Sequence, residues 1–103
     1  MNIRYYFQNV NENCRNGVEN FFSQKKISQI ERLLNPTEQQ VSQLIVRVEY
    51  FEKHNAFSAK VEIAFGKKVL FGEEQSHDVK KAMNLATKRL INQLKKINYP
   101  VKP

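Results

Sequence analysis

Between Val79 and Ile97 the apolar residues Val79, Ala82, Met83, Ala86, Leu90, Leu94 and Ile97 recur with the spacing of one helix face. At 100° per residue they form a single stripe, which predicts an amphipathic helix that covers a core on one side only. Lys81, Lys88 and Lys95 recur every seven residues on the opposite side, with Asn84 and Asn92 between them and Lys80, Arg89 and Lys96 on the flanks. From Val79 to Pro103 there are seven cations and no acid; the ten acids all lie earlier, matched there by ten Lys and Arg, so the formal charge of +7 resides in this segment. Six cations along about 25 Å of helix repel one another until counterions or a polyanion neutralise them. A solvated helix ordinarily mixes signs to gain pairs one turn apart. With no acid interleaved, the pattern favours a polyanionic partner over a merely solvated surface, and nucleic acid is the commonest such polyanion.

A chain of 103 residues with 41% apolar content is expected to form one soluble α+β domain over residues 1–98, followed by a short tail at 99–103 whose two prolines end the helix. Arg4, Gln8 and Asn9 interrupt the apolar residues of the first segment, and no stretch reaches the length of a membrane span, so a cytoplasmic protein is expected. A single cysteine, Cys14, forms no internal disulfide, and with only His54 and His77 beside it the set is too small for a zinc site. Cys14 reads as a small apolar core residue.

The earlier segments supply what the last helix would cover. Ile3, Tyr5 and Phe7 alternate with Asn2, Arg4, Tyr6 and Gln8, as in a strand with one covered face. Asn11 is placed to cap a helix carrying Cys14, Val18, Phe21 and Phe22 inward, with Glu12 in its first turn. The stripe then slips by one place, because Lys25 and Lys26 stand where apolar residues are due, and resumes at Ile27, Ile30, Leu33 and Leu34. A break is expected within 23–26, and Asn35-Pro36 is expected to stop the extended helix. Leu44 to Phe51 and Phe57 to Phe65 alternate as two strands joined near His54-Asn55; Gly66-Lys67 reverses the chain into a fourth strand, Val69 to Phe71, ending at Gly72. Ser76 or Asp78 would cap the last helix. The expected order is β-α-β-β-β-α: a two-layer α+β sandwich with two helices on one face of a four-stranded, largely antiparallel sheet.

Catalysis finds little support. There is no Gly-rich phosphate loop, no Cys/His nucleophile pattern, and no carboxylate pair beyond the neighbours Glu73 and Glu74. His77 precedes Asp78, but an Asp at a helix start serves as a cap more often than it orients an imidazole. Neither an enzyme activity nor a metal, cofactor or small-molecule substrate is expected. Base stacking on the sheet would require exposed rings, for which Tyr6, Tyr50 and Phe51 are available, but the ribonucleoprotein motif is absent. The architecture is double-stranded-RNA-binding-domain-like. The sequence is not: Lys80-Lys81 runs straight into Ala82-Met83-Asn84, a strand precedes the first helix, and there is no Gly-Pro-x-His loop.

The segment from Asp78 to Lys96 resembles the last helix of the ribosome hibernation-promoting factor and ribosome-associated inhibitor family. The matching positions are Asp78, Val79, Ala82, Asn84, Arg89-Leu90, Gln93-Leu94 and Lys96. Phe57, Ala59, Val61 and Ile63, followed by a turn glycine, resemble that family's third strand, and Val10, Arg15 and Val18 its first-helix opening. The resemblance implies a non-catalytic factor of stress or stationary phase that inhibits translation. It would dock on ribosomal RNA of the small subunit, in the channel used by mRNA and tRNA, and be a monomer off the ribosome. Ending at Pro103, the chain resembles the family's short form. The implied rRNA contacts are Lys80, Lys81, Lys88, Arg89, Lys95 and Lys96, extended from the first helix by Arg15, Lys25 and Lys26. Phosphate contacts of this kind position a protein without reading bases, so the site would be selected by shape. The alternatives are a structured-RNA-binding module acting away from the ribosome, or a basic module docking an acidic protein partner. A membrane surface would require bulky apolar residues beside the lysines, for which only Leu85 and Ile91 lie off the stripe.

Overall fold

The computed structural model describes residues 1–22 and 24–98, the side chains of 24, 25 and 98 excepted. The expected tail at 99–103 lies outside them. Four strands, β1 (Asn2–Gln8), β2 (Gln43–Phe51), β3 (Ala56–Phe65) and β4 (Lys68–Ser76), form one sheet in the order β1-β2-β3-β4. β1 runs parallel to β2, and the other two pairings are antiparallel. A parallel pair requires a long crossover, and here that crossover holds three helices: α1 (Glu12–Phe21), α2 (Gln24–Glu31) and α3 (Pro36–Val41). The final helix, α4, spans Val79–Asn98.

The period-2 pattern sets the sheet's two faces. Leu44, Val46 and Val48 of β2 and Ala59, Val61, Ile63 and Phe65 of β3 are buried, joined by the half-buried Ile3, Tyr5 and Phe7 of β1. Val18 and Phe22 from the first helical segment, Ile30 and Leu34 from the second, and Ala82, Met83, Ala86, Leu90 and Leu94 of α4 close over that face. Both principal helices therefore lie on one side of the sheet, as expected. Among the described residues, no helix covers the other side.

Four details of the sequence reading are corrected. Leu33 and Leu34 follow α2 in a turn, so the extended first helix is two helices; α1 ends at Phe21 and α2 begins at Gln24, at the near edge of the expected window, with Lys25 and Lys26 already inside α2. Asn35-Pro36 does not simply stop a helix but starts α3. Asn35 Oδ1 accepts from the Glu38 N–H at 2.8 Å, Glu38 Oε1 accepts from the Asn35 N–H at 3.0 Å, and Pro36 occupies the first turn, where its missing N–H costs nothing. β4 continues past Gly72 to Ser76, because this glycine is a point of close approach rather than a terminator. A Cβ on Gly72 would stand 2.0 Å from the Ala86 carbonyl oxygen and 2.8 Å from the Leu90 nitrogen, so only glycine lets α4 lie this near the strand. Finally, Ile97 is 41% exposed at the end of α4, whereas Ile91, expected off the stripe, is buried with Thr87.

Candidate nucleic-acid interface

α4 begins as a capped helix. Asp78 Oδ1 accepts from the Lys80 N–H at 2.9 Å, and Ser76 Oγ accepts from the Asp78 N–H at 3.2 Å, so both expected capping residues take part. His77 is held beside them, its Nδ1 against the Asn55 carbonyl, in a turn where Asn55 adopts φ 46° and accepts a hydrogen bond from the Tyr50 hydroxyl at 2.7 Å. That accounts for His77 as a tie between the β2–β3 turn and the start of α4.

The buried stripe fixes the rotation of the helix, and the rotation fixes the charges. With Ala82, Met83, Ala86, Leu90 and Leu94 turned inward, Lys80, Lys81, Lys88, Arg89, Lys95 and Lys96 are all exposed. The heptad-spaced Lys81, Lys88 and Lys95 stand in one line along a continuous helix of 20 residues. Among the described residues, the one ion pair involving these cations is Arg89 with Glu74. The guanidinium Nε and Nη2 reach Glu74 Oε2 at 3.2 and 3.0 Å. The five lysines form no such pair with any described residue, so their charge is available to a ligand. Sequence alone did not reveal this division, since Glu74 lies fifteen residues from Arg89 and meets it only across the β4–α4 seam. The same seam places Gln93 Nε2 2.7 Å from the Phe71 carbonyl, which caps the exposed edge of β4.

The cations expected from the first helix are less free. Arg15 is exposed, but its Nε donates to the Val10 carbonyl at 3.2 Å and its guanidinium lies 5.6 Å from the centre of the Phe7 ring. Lys26 places its Nζ 5.2 Å from the centre of Phe21. The side chain of Lys25 lies outside the described residues. Catalytic alternatives gain nothing from the geometry. Burial pushes the Cys14 thiol up, away from the reactive thiolate. No group of three or more His, Cys, Asp or Glu among the described residues is placed to hold a metal, and no helix there is long and apolar enough to cross a membrane.

Of the rings considered for stacking, Tyr50 packs on Phe57 with centroids 4.9 Å apart, while Tyr6 stands on the open side of the sheet, 45% exposed. Phe71, which the sequence reading assigned only to a strand, is 44% exposed on the same side. Alternation along β4 does signal this, since the ring is one residue from the inward Gly72.

The model for the family described as Sigma 54 modulation protein / S30EA ribosomal protein matches residues 9–99. Among solved structures, the chain is similar to the N-terminal domain of Protein Y from Thermus thermophilus, with a TM-score of 0.69 and 22% identity over 94% of this chain and 99% of that one. It is also similar to a ribosomal subunit interface protein from Coxiella burnetii, with a TM-score of 0.67 and 17% identity over 97% of this chain and all of that one. At these identities the two structures support the fold. No curated protein matches the chain in sequence.

Proposed function

Because the chain belongs to the Sigma 54 modulation protein / S30EA ribosomal protein family, we propose that it is a ribosome-associated, non-catalytic cytoplasmic factor. It docks as a monomer on ribosomal RNA of the small subunit, in the channel used by mRNA and tRNA, and holds idle ribosomes inactive. The observation that carries this reading is the row of exposed lysines on α4, unpaired with acids and mounted on a helix locked to the sheet through Gly72. A rigid row of cations makes phosphate contacts without prior ordering, and such contacts select a site by its shape. Lys81, Lys88 and Lys95 form the centre of the interface. Lys80 and Lys96 flank it, Arg89 joins once Glu74 releases it, and Arg15, Lys25 and Lys26 extend it from the first helical segment. The name of the Coxiella relative, a ribosomal subunit interface protein, agrees with a binding site on the ribosome.

Co-sedimentation with purified ribosomes tests the reading. About four to six phosphate contacts predict that log K falls against log salt with a slope of about −3 to −5. Changing Lys81, Lys88 and Lys95 together to Glu should abolish co-sedimentation without altering the melting curve, since all three are exposed. Arg32→Glu with Lys53→Glu, exposed positions that belong neither to α4 nor to a strand, serves as the control for net charge. A comparable loss in that control would sink the proposal. Translation should be inhibited only at concentrations near those of the ribosomes, as expected of a factor that occupies a site and turns nothing over.

A further inference from the structure

The face of the sheet that the helices leave uncovered carries its own pattern. Tyr6, Arg47, Lys60 and Glu73 stand in register across the four strands, and beside them runs a second row, Arg4, Ile45, Glu62 and Phe71. The Arg47 guanidinium lies 4.7 Å from the centre of the Tyr6 ring, and Lys60 Nζ lies 4.5 Å from the centre of the Phe71 ring. Each outer strand thus offers an exposed ring, and each inner strand leans a cation over one of them. A shallow hollow of about 530 Å³ reaches across all four strands from Tyr6 to Glu73, lined also by Gln8, Arg47, Ser58 and Lys60, with Phe71 in the neighbouring row outside it. The three cations Arg4, Arg47 and Lys60 are balanced by the three acids Glu49, Glu62 and Glu73, with Lys60 4.0 Å from Glu62.

This arrangement narrows the occupant. A balanced face does not attract a duplex by charge, as the α4 row does. A protein interface concentrates its aromatic anchors at the centre, within a polar rim. Here the order is inverted, with rings at the two margins, about 15 Å apart at the usual strand spacing, and cations between them. Rings that stack bases, separated by cations that hold the connecting phosphates, match a single strand lying across the sheet.

We propose that the open face of the sheet is a second binding surface, taking single-stranded nucleic acid, with bases stacked on Tyr6 and Phe71 and the intervening backbone held by Arg47 and Lys60. It lies on the side of the sheet opposite α4, so it stands or falls separately from the docking surface proposed above. The probe is a fluorescently labelled single-stranded RNA of about six nucleotides, short enough for one face, with binding followed by anisotropy. Tyr6→Ala and Phe71→Ala should each weaken binding about tenfold, whereas Tyr6→Phe and Phe71→Tyr, which keep the ring, should bind as the wild type does. The salt slope should be shallow, and replacing Arg47 and Lys60 together by Ala should reduce its magnitude by about 1.4, two single-strand contacts. In an NMR titration the amides of β1 and β4 around Tyr6 and Phe71 should shift. Unchanged oligonucleotide affinity in the double Tyr6→Ala, Phe71→Ala variant, with a wild-type melting curve, overturns the proposal, as do shifts confined to α4. Should that variant keep the oligonucleotide but lose ribosome co-sedimentation, the face belongs to the ribosome-docking surface and the assignment of a separate single-strand site is wrong.

Discussion

α4 and the α1–α3 crossover cover the same face of one sheet, yet among the described residues only α4 carries a row of exposed cations. Its inward side is occupied by buried Ala82, Met83, Ala86, Leu90, Ile91 and Leu94, so the whole helix is one rigid body against β3 and β4. The crossover buries Val18, Phe22, Ile30 and Leu34 from pieces no longer than ten residues, joined by turns and caps. Of its described cations, Arg15 and Lys26 settle on the nearby rings of Phe7 and Phe21, and Arg32 stands exposed in the turn after α2. A seven-residue repeat of lysine becomes a straight line only on an uninterrupted helix. The difference teaches that dividing the first helical segment into α1 and α2 removes it from the register that α4 maintains.

The comparison can be broken most severely at Leu90, which is fully buried. Leu90→Ala should cost about 2–5 kcal/mol in urea unfolding, through lost burial and the cavity left behind. Gly72→Ala attacks the same seam from the strand, since the added methyl meets the backbone of α4. It should cost about 1–3 kcal/mol or more by overpacking, and it should weaken ribosome co-sedimentation by shifting the cationic helix. On the crossover side, Asn35→Ala removes one half of the reciprocal cap of α3 and should cost about 1 kcal/mol. Ribosome binding should be unchanged in that variant, because α3 carries none of the proposed contacts. The smallest effect is expected at Glu74, whose pairing with the 62% exposed Arg89 contributes at most about 1 kcal/mol. Glu74→Gln should leave the melting curve nearly unchanged and steepen the salt dependence of ribosome binding by up to about one contact, since Arg89 is released to phosphate.

Much of the fold was legible because burial imposes a period on the sequence. Leu44, Val46 and Val48 against Ala59, Val61 and Ile63 identify two strands with one inward face, and the stripe from Ala82 to Leu94 identifies the helix that covers them. α3 was missed although its signals were present: Asn35, Pro36 and Glu38 are a cap, a first-turn proline and a capping-box partner, and they were read only as a stop. Gly72 was misread for a different reason. A glycine that ends a strand and a glycine that admits a neighbouring helix look alike until the neighbour is in place.

By itself the sequence determined the four strands, the last helix with most of its inward residues, and the sign of the α4 surface, because these depend on spacing along one chain. Only the tertiary structure decided which charges are free and which faces are open. Arg89 is engaged because β4 brings Glu74 to it across the seam, and Tyr6 and Phe71 share one surface because sheet pairing places the two outer strands on either side of Arg47 and Lys60. Electrostatic pairing and ring stacking act over a few ångströms of space. Between residues far apart in sequence, that distance is set by the fold alone.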